Sequence, residues 1–157
     1  MEAINVNNSK AKRHVLLVED NPKDEFLTLR ALNKMTAGLV VDVVRDGQEA
    51  LDYLFAENQF QDRQETAFPG LVILDLKLPK IGGLEVLKRI RSDPRTRLIP
   101  VVVLTSSDEH SDLQTSYELG VNSYVCKPIP FPELNQIIGR LGQYWLSVNS
   151  PPPGELQ

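Results

Sequence analysis

Short apolar runs and amphipathic stretches alternate along the chain. His14-Val15-Leu16-Leu17-Val18, Leu39 to Val44, Leu71-Val72-Ile73-Leu74, Ile99 to Leu104 and Ser123 to Cys126 are runs of the first kind, most of them rich in β-branched residues. Continuous apolar runs of this length predict strands covered on both faces, as in a parallel sheet. The stretches between them carry helical spacing. Asn21-Pro22 predicts a helix start, with Asn21 as N-cap and Pro22 in the first turn. Its expected stripe is Phe26, Leu29, Leu32 and Met35, widened by Leu27 and Ala31, and it ends at Ala37-Gly38. Asp46-Gly47 opens a second helix with Ala50, Leu51, Leu54 and Phe55 on one face. Leu84, Leu87, Lys88, Ile90 and Arg91 mark a third, closed by Ser92-Asp93-Pro94. Asp108 begins a fourth, with Leu113, Tyr117 and Leu119 as apolar marks and Gly120 as its stop. The fifth runs from about Pro132 to Trp145, with Phe131, Leu134, Ile138, Leu141 and Trp145 on one stripe. Ile137 and Tyr144 fall beside that stripe, as core packing or as a partner surface.

Strand and helix therefore alternate five times, which implies an α/β fold: a parallel sheet with helices on both faces and right-handed crossovers. Five strands fit a flavodoxin-like, doubly wound sheet of order 2-1-3-4-5 with five helices. The polar stretch from Ala56 to Phe68 is a longer connection than most in compact domains. Residues 1–13 read as a polar arm, 14–146 as one folded domain, and 147–157 as an irregular, Pro-rich tail.

Composition narrows the class. Net charge is −4 with scattered basic residues, which argues against nucleic acid as the main partner. The one cysteine, Cys126, excludes an internal disulfide framework and a Cys-based zinc cluster, and is expected to fill core. His14 and His110 have no partners in sequence and are expected at the surface or a strand edge. No apolar run approaches the ~20 residues of a membrane span, and Met1 to Arg13 lacks a signal-peptide core, so a cytoplasmic location is expected.

The chemistry stands at the strand ends. The first strand ends in Glu19 and Asp20, the third in Asp75, the fourth in Thr105 and Ser106, the fifth in Lys127. In a parallel sheet all of these open on one rim, where ligands gather in such folds. Each alone reads as a solvated turn or surface residue; together they converge. Clustered carboxylates resist ionising together, and a hard cation such as Mg²⁺ resolves this with two or so carboxylates, a carbonyl and waters. A hydroxyl and an ammonium facing them suit the oxygens of a phosphoryl group on Asp75.

Val-Glu-Asp-Asn, Leu-Asp-Leu-x-Leu-Pro, Val-Leu-Thr-Ser and Tyr-Val-Cys-Lys-Pro, in this order and spacing, resemble the receiver domain of a two-component response regulator, over about His14 to Trp145. The resemblance implies that Asp75 accepts a phosphoryl group from a sensor histidine kinase, an act of signalling with only self-phosphotransfer and autodephosphorylation as chemistry. It implies Mg²⁺ on Asp20 and Asp75 directly, on Glu19 largely through water, and on the Lys77 backbone carbonyl. Thr105 and Lys127 are then expected to bind phosphoryl oxygens, Tyr124 to swing inward as Thr105 moves, and Lys127–Pro128 to be cis. The surface expected to switch is the fourth helix, fifth strand and fifth helix (Asp108 to Trp145). Gly82, Ser106 and Val121 depart from the usual pattern without touching the chemistry.

With only about a dozen residues outside the receiver at each end, the chain reads as a stand-alone receiver whose output is a contact with another protein. The polar insertion, the run from Ser92 to Ser106 and the Tyr-Trp-Leu ending are similar to regulators paired with bacterial phytochrome kinases. That narrower resemblance implies a homodimer through the C-terminal part of the fold. Three other readings stand beside it. A haloacid-dehalogenase-type phosphatase wants a second Asp where Lys77 stands, and a flavin carrier wants a phosphate loop where Glu19-Asp20-Asn21 would repel phosphate. A receiver-like scaffold that works without phosphorylation leaves the acids without a purpose.

Overall fold

The computed structural model describes residues 14–34, 39–63, 68–127 and 130–153. Strands β1 (His14–Val18), β2 (Val40–Val44), β3 (Leu71–Leu74), β4 (Val101–Thr105) and β5 (Ser123–Cys126) form one parallel sheet in the order β2-β1-β3-β4-β5. Helices α1 (Pro22–Asn33), α2 (Gly47–Leu54), α3 (Gly83–Ser92), α4 (His110–Glu118) and α5 (Phe131–Gln143) alternate with them. This is the doubly wound order expected from the alternation. The 1–13 arm, the end of the first helix at Ala37-Gly38 and the geometry of the Lys127–Pro128 bond lie outside the described residues.

The absence of polar alternation in the strands follows from the packing. Side chains of a strand point to opposite faces in turn, so a sheet covered on both sides needs apolar residues at every position. On one face Leu16, Val18, Val72, Leu74, Val101 and Val103 meet Ala50, Leu51 and Leu54 of α2 and Val86, Leu87 and Ile90 of α3. On the other, Val15, Leu17, Ile73, Val102 and Leu104 meet Ala31 and Leu32 of α1 and Leu134 and Ile138 of α5. In the last turn of α3, Arg91 closes the lower end of β4. Its guanidinium donates to the carbonyls of Gly120, Arg97 and Ile99 and to Asn122 Oδ1, and burial lowers its pKa.

Helices α1 and α4 differ from expectation in phase. Phe26 is 61% exposed, and the buried residues of α1 are Thr28, Ala31 and Leu32. A strict three-residue repeat drifts by about 60° per step around a helix of 3.6 residues per turn, so Phe26, Leu29 and Leu32 cannot share one face. In α4 only Ser116 is buried, while Leu113 and Tyr117 are exposed. That helix starts at His110 rather than Asp108, because Ser107 Oγ accepts the Glu109 N–H and donates to Asp112. The last helix passes at Tyr144–Val148 into a π-helical turn. Cys126 is exposed, not core: it is the last residue of the edge strand β5. His14 is not a bare surface residue either. Its Nε2 lies 2.9 Å from Asp42 Oδ2 and 2.9 Å from the Tyr53 hydroxyl, which itself donates to Asp42 at 2.6 Å.

Candidate functional site

Register alone brings the strand-end groups together. Val18 pairs with Leu74, so Glu19 and Asp75 are the next residues out on adjacent strands. Leu74 pairs with Val103, and Thr105 pairs with Cys126, which places Thr105 and Lys127 on the same rim. The ladder continues past the strands: the Asp75 N–H donates to the Val18 carbonyl and the Lys127 N–H to that of Thr105. Backbone pairing therefore fixes where these side chains start.

The side chains then converge. One carboxylate oxygen from each of Glu19, Asp20 and Asp75 lies within 4.8 Å of the others, a donor set of hard oxygens that suits a cation such as Mg²⁺. Asp20 is exposed while Glu19 and Asp75 are buried, so the cluster opens to solvent on one side. Lys127 Nζ, 7% exposed, donates to Glu19 Oε1 at 2.9 Å and stands 3.6 Å from Asp75 Oδ2. Burial pushes the Glu19 carboxyl up to about 7; the Lys127 ammonium opposes this and the charge on Asp75 adds to it. Burial also works against the charge on Lys127, but bonds to Asp24 and Glu19 outweigh it and hold the ammonium above its ordinary range.

Thr105 is fully buried, and its hydroxyl accepts the Ser107 N–H at 3.3 Å. The half-buried Tyr124 donates its hydroxyl to the Ser107 carbonyl at 3.0 Å. The loop after β4 is thus held from both sides, by the threonine and by the tyrosine. On the other flank Lys77 donates its N–H to Asp75 Oδ1, and Gly83 donates to the Leu76 carbonyl. Gly83 must be glycine here: a Cβ would overlap the Asp75 carbonyl oxygen and stand 2.6 Å from Leu76 Cα. Gly82, the N-cap of α3, is open by contrast, its nearest neighbour lying 3.9 Å away.

Glu19, Asp20, Asp75 and Lys127 therefore meet on one rim; Thr105 ends the neighbouring strand with its hydroxyl on the Ser107 N–H, and Tyr124 lies one loop away. One residue was missed. Asp24, on the first turn of α1, accepts a second bond from Lys127 Nζ at 2.9 Å. The only sequence signal was its place three residues after the N-cap Asn21, which reads as an acid favouring a helix N-terminus.

Known proteins resemble this chain in sequence and fold. Residues 15–139 match the response regulator receiver domain. A probable methanogenesis regulatory protein, FilR2 of Methanothrix harundinacea, is 41% identical over 138 residues, covering 88% of this chain and 86% of its own. Among solved structures, the phosphorylated cyanobacterial phytochrome response regulator RcpA is 42% identical with a TM-score of 0.83, over 88% of this chain and 97% of that one. The bacteriophytochrome response regulator RtBRR is 52% identical, TM-score 0.71, over 91% and 86%. The Mn(2+)-bound form of the response regulator Rcp1 is 35% identical, TM-score 0.82, over 88% and 98%.

Proposed function

We propose, from the premise that this chain belongs to the response regulator receiver domain family, that Asp75 is its phosphoryl acceptor and residues 14–146 its receiver unit. Membership makes the chain a two-component response regulator, a signalling protein. The observation that carries the reading is the meeting of Glu19, Asp20, Asp75 and Lys127 on one rim. An Asp75 carboxylate oxygen attacks the phosphorus of a phosphohistidine; the P–O bond forms, the P–N bond breaks, and the imidazole leaves and takes up a proton. Glu19, Asp20 and Asp75, with the Lys77 carbonyl, would hold Mg²⁺, which neutralises charge on the phosphoryl oxygens when bound. A Mn(2+)-bound relative of the same fold supports a divalent cation here.

Lys127 and Thr105 take the phosphoryl oxygens. Reversing a two-state equilibrium from 1:99 to 99:1 requires about 5.5 kcal/mol of differential binding, and charge-assisted bonds contribute roughly 1.5–3 kcal/mol each. Two or three such bonds suffice only if they form in one state, so Thr105 must move toward Asp75. That movement takes the Ser107 segment with it and releases Tyr124, whose neutral bond is worth about 1 kcal/mol. The surface built by α4, β5 and α5 then changes. The slight burial of α4 makes it cheap to shift.

The donor we infer is a histidine kinase of the bacterial phytochrome type, since RcpA and RtBRR are described as phytochrome and bacteriophytochrome response regulators. A second copy of the chain is the partner we assign to the C-terminal face, where Ile137, Leu141, Tyr144 and Trp145 line an apolar hollow of about 300 Å³. The haloacid-dehalogenase, flavin-carrier and scaffold readings gain nothing from these observations. Among the described residues no helix is long and apolar enough to cross a membrane.

Phosphotransfer tests this reading. A bacterial phytochrome kinase should phosphorylate the chain faster than an unrelated histidine kinase does, and not the Asp75→Asn variant. Equal rates from both kinases would remove the phytochrome link, and phosphorylation of Asp75→Asn would remove the acceptor. Sedimentation of wild type against Tyr144→Ala tests the second copy; an unchanged mass would place the contact elsewhere.

A further inference from the structure

We propose that Asp24 is a positioning residue that competes with the phosphoryl group for Lys127, and thereby sets how tightly the phosphorylated state is held. The inference rests on the reading of Asp75 as acceptor. An ammonium has three N–H donors. Lys127 gives two of them, both at 2.9 Å, to Glu19 and to Asp24, while Asp75 stands farther off at 3.6 Å. In this state the cation serves two carboxylates that are not the acceptor.

Those two carboxylates release it differently. Glu19 belongs to the acidic cluster with Asp20 and Asp75, so a bound cation weakens its hold on Lys127. Asp24 stands outside that cluster, and a cation there does nothing to relieve it. Its backbone is fixed as well: Asn21 Oδ1 accepts the N–H groups of Lys23 and Asp24 at the start of α1. A phosphoryl group adds about −1.5 to −2 charges and three acceptor oxygens on Asp75. Lys127 has one N–H left for them, so a second bond to the phosphoryl group takes its donor from Asp24. The freed carboxylate can then turn to water, because its side chain is already 30% exposed and lines an open hollow of about 320 Å³ with Lys23, Ser106 and Phe131. The Asp24–Lys127 bond also ties α1 to the end of β5, so phosphorylation removes that one tie.

The test is binding of beryllofluoride, a phosphoryl mimic that coordinates a carboxylate oxygen, with saturating Mg²⁺ and fluorine NMR as readout. Removing a partly exposed charge-assisted bond that exists only in the unliganded state should tighten binding in Asp24→Asn by about fivefold, between the values for surface and buried pairs. Asp24→Glu, which keeps the charge, should return toward wild type. Glu25→Gln removes the same charge one residue away, from a carboxylate that pairs with Arg45 at 2.8 Å instead of Lys127, and should change affinity less than about twofold. A fold-wide effect of losing an acid from the first turn would lower stability in both variants without tightening either. Unchanged or weaker binding in Asp24→Asn, or equal tightening in Glu25→Gln, overturns the inference. Failure of wild type itself to bind the mimic overturns the acceptor reading instead.

Discussion

Gly83→Ala adds one methyl group at the point where α3 rests on the acceptor strand. The new Cβ would overlap the Asp75 carbonyl oxygen and stand 2.6 Å from Leu76 Cα, both backbone atoms that no rotamer change can move. Ordinary contact lies near ~3.5–4.0 Å, so the start of α3 must retreat by about 1 Å. Overpacking of this kind costs roughly 1–3 kcal/mol, and the lower chain entropy of unfolded alanine offsets about 0.4–1 of that. A net loss of about 1–2 kcal/mol should lower the urea midpoint by roughly 1 M. The same displacement misplaces Asp75 and Lys77, and an error of about 1 Å in a reacting group can slow chemistry by up to ~100-fold. Neighbouring Gly82→Ser serves as contrast: the site is open and an N-cap, so a gain of a few tenths of a kcal/mol is expected, with phosphorylation unaltered. Urea unfolding and initial rates of phosphoryl incorporation read both effects. If Gly83→Ala matched wild type in midpoint and rate, the close packing of α3 on Asp75 would not govern the site.

Two further outcomes concern pH. Burial opposes ionisation of Asp42, but the Tyr53 hydroxyl and His14 outweigh it and hold the carboxyl below its ordinary range. A depressed folded value means stability that is present above the unfolded value and lost as pH falls through the folded one. The advantage of wild type over Asp42→Asn in urea unfolding should thus persist down to about pH 4 and vanish below it. An undiminished advantage at lower pH would contradict this. Glu19, raised by burial to about 7, must lose its proton to face a cation. Mg²⁺ affinity should therefore rise roughly tenfold between about pH 6 and 8, with proton release seen by calorimetry in buffers of different ionisation enthalpy. Glu19→Gln should abolish that release; its survival would assign the proton elsewhere.

The strands and their terminal groups were legible because buried parallel strands leave a simple trace: unbroken apolar runs, each ending where a polar residue must meet water. Once order and register follow from the alternation, Glu19, Asp75, Thr105 and Lys127 have nowhere to go but one rim. Helix phase was less legible. Phe26 carries the same apolar signal as Leu32, and only the packed sheet distinguishes them, leaving one 61% exposed and the other fully buried. Side-chain partnerships outside the group of strand-end residues were not legible. Nothing near His14 in sequence points to Asp42 and Tyr53, and nothing near Asp24 points to Lys127, 103 residues away. Such bonds depend on rotamers and on which of several acids lies nearest, which neither periodicity nor motif encodes.

Borohydride reduction with peptide mapping addresses the convergence of these groups most directly, since an acyl phosphate on aspartate is reduced to homoserine at the residue that carried it. After incubation with a small-molecule phosphodonor, conversion is expected at Asp75 alone and only when Mg²⁺ is present. Conversion at another carboxylate, or at Asp75 to the same extent in chelator, would contradict a cation-dependent acceptor at this rim.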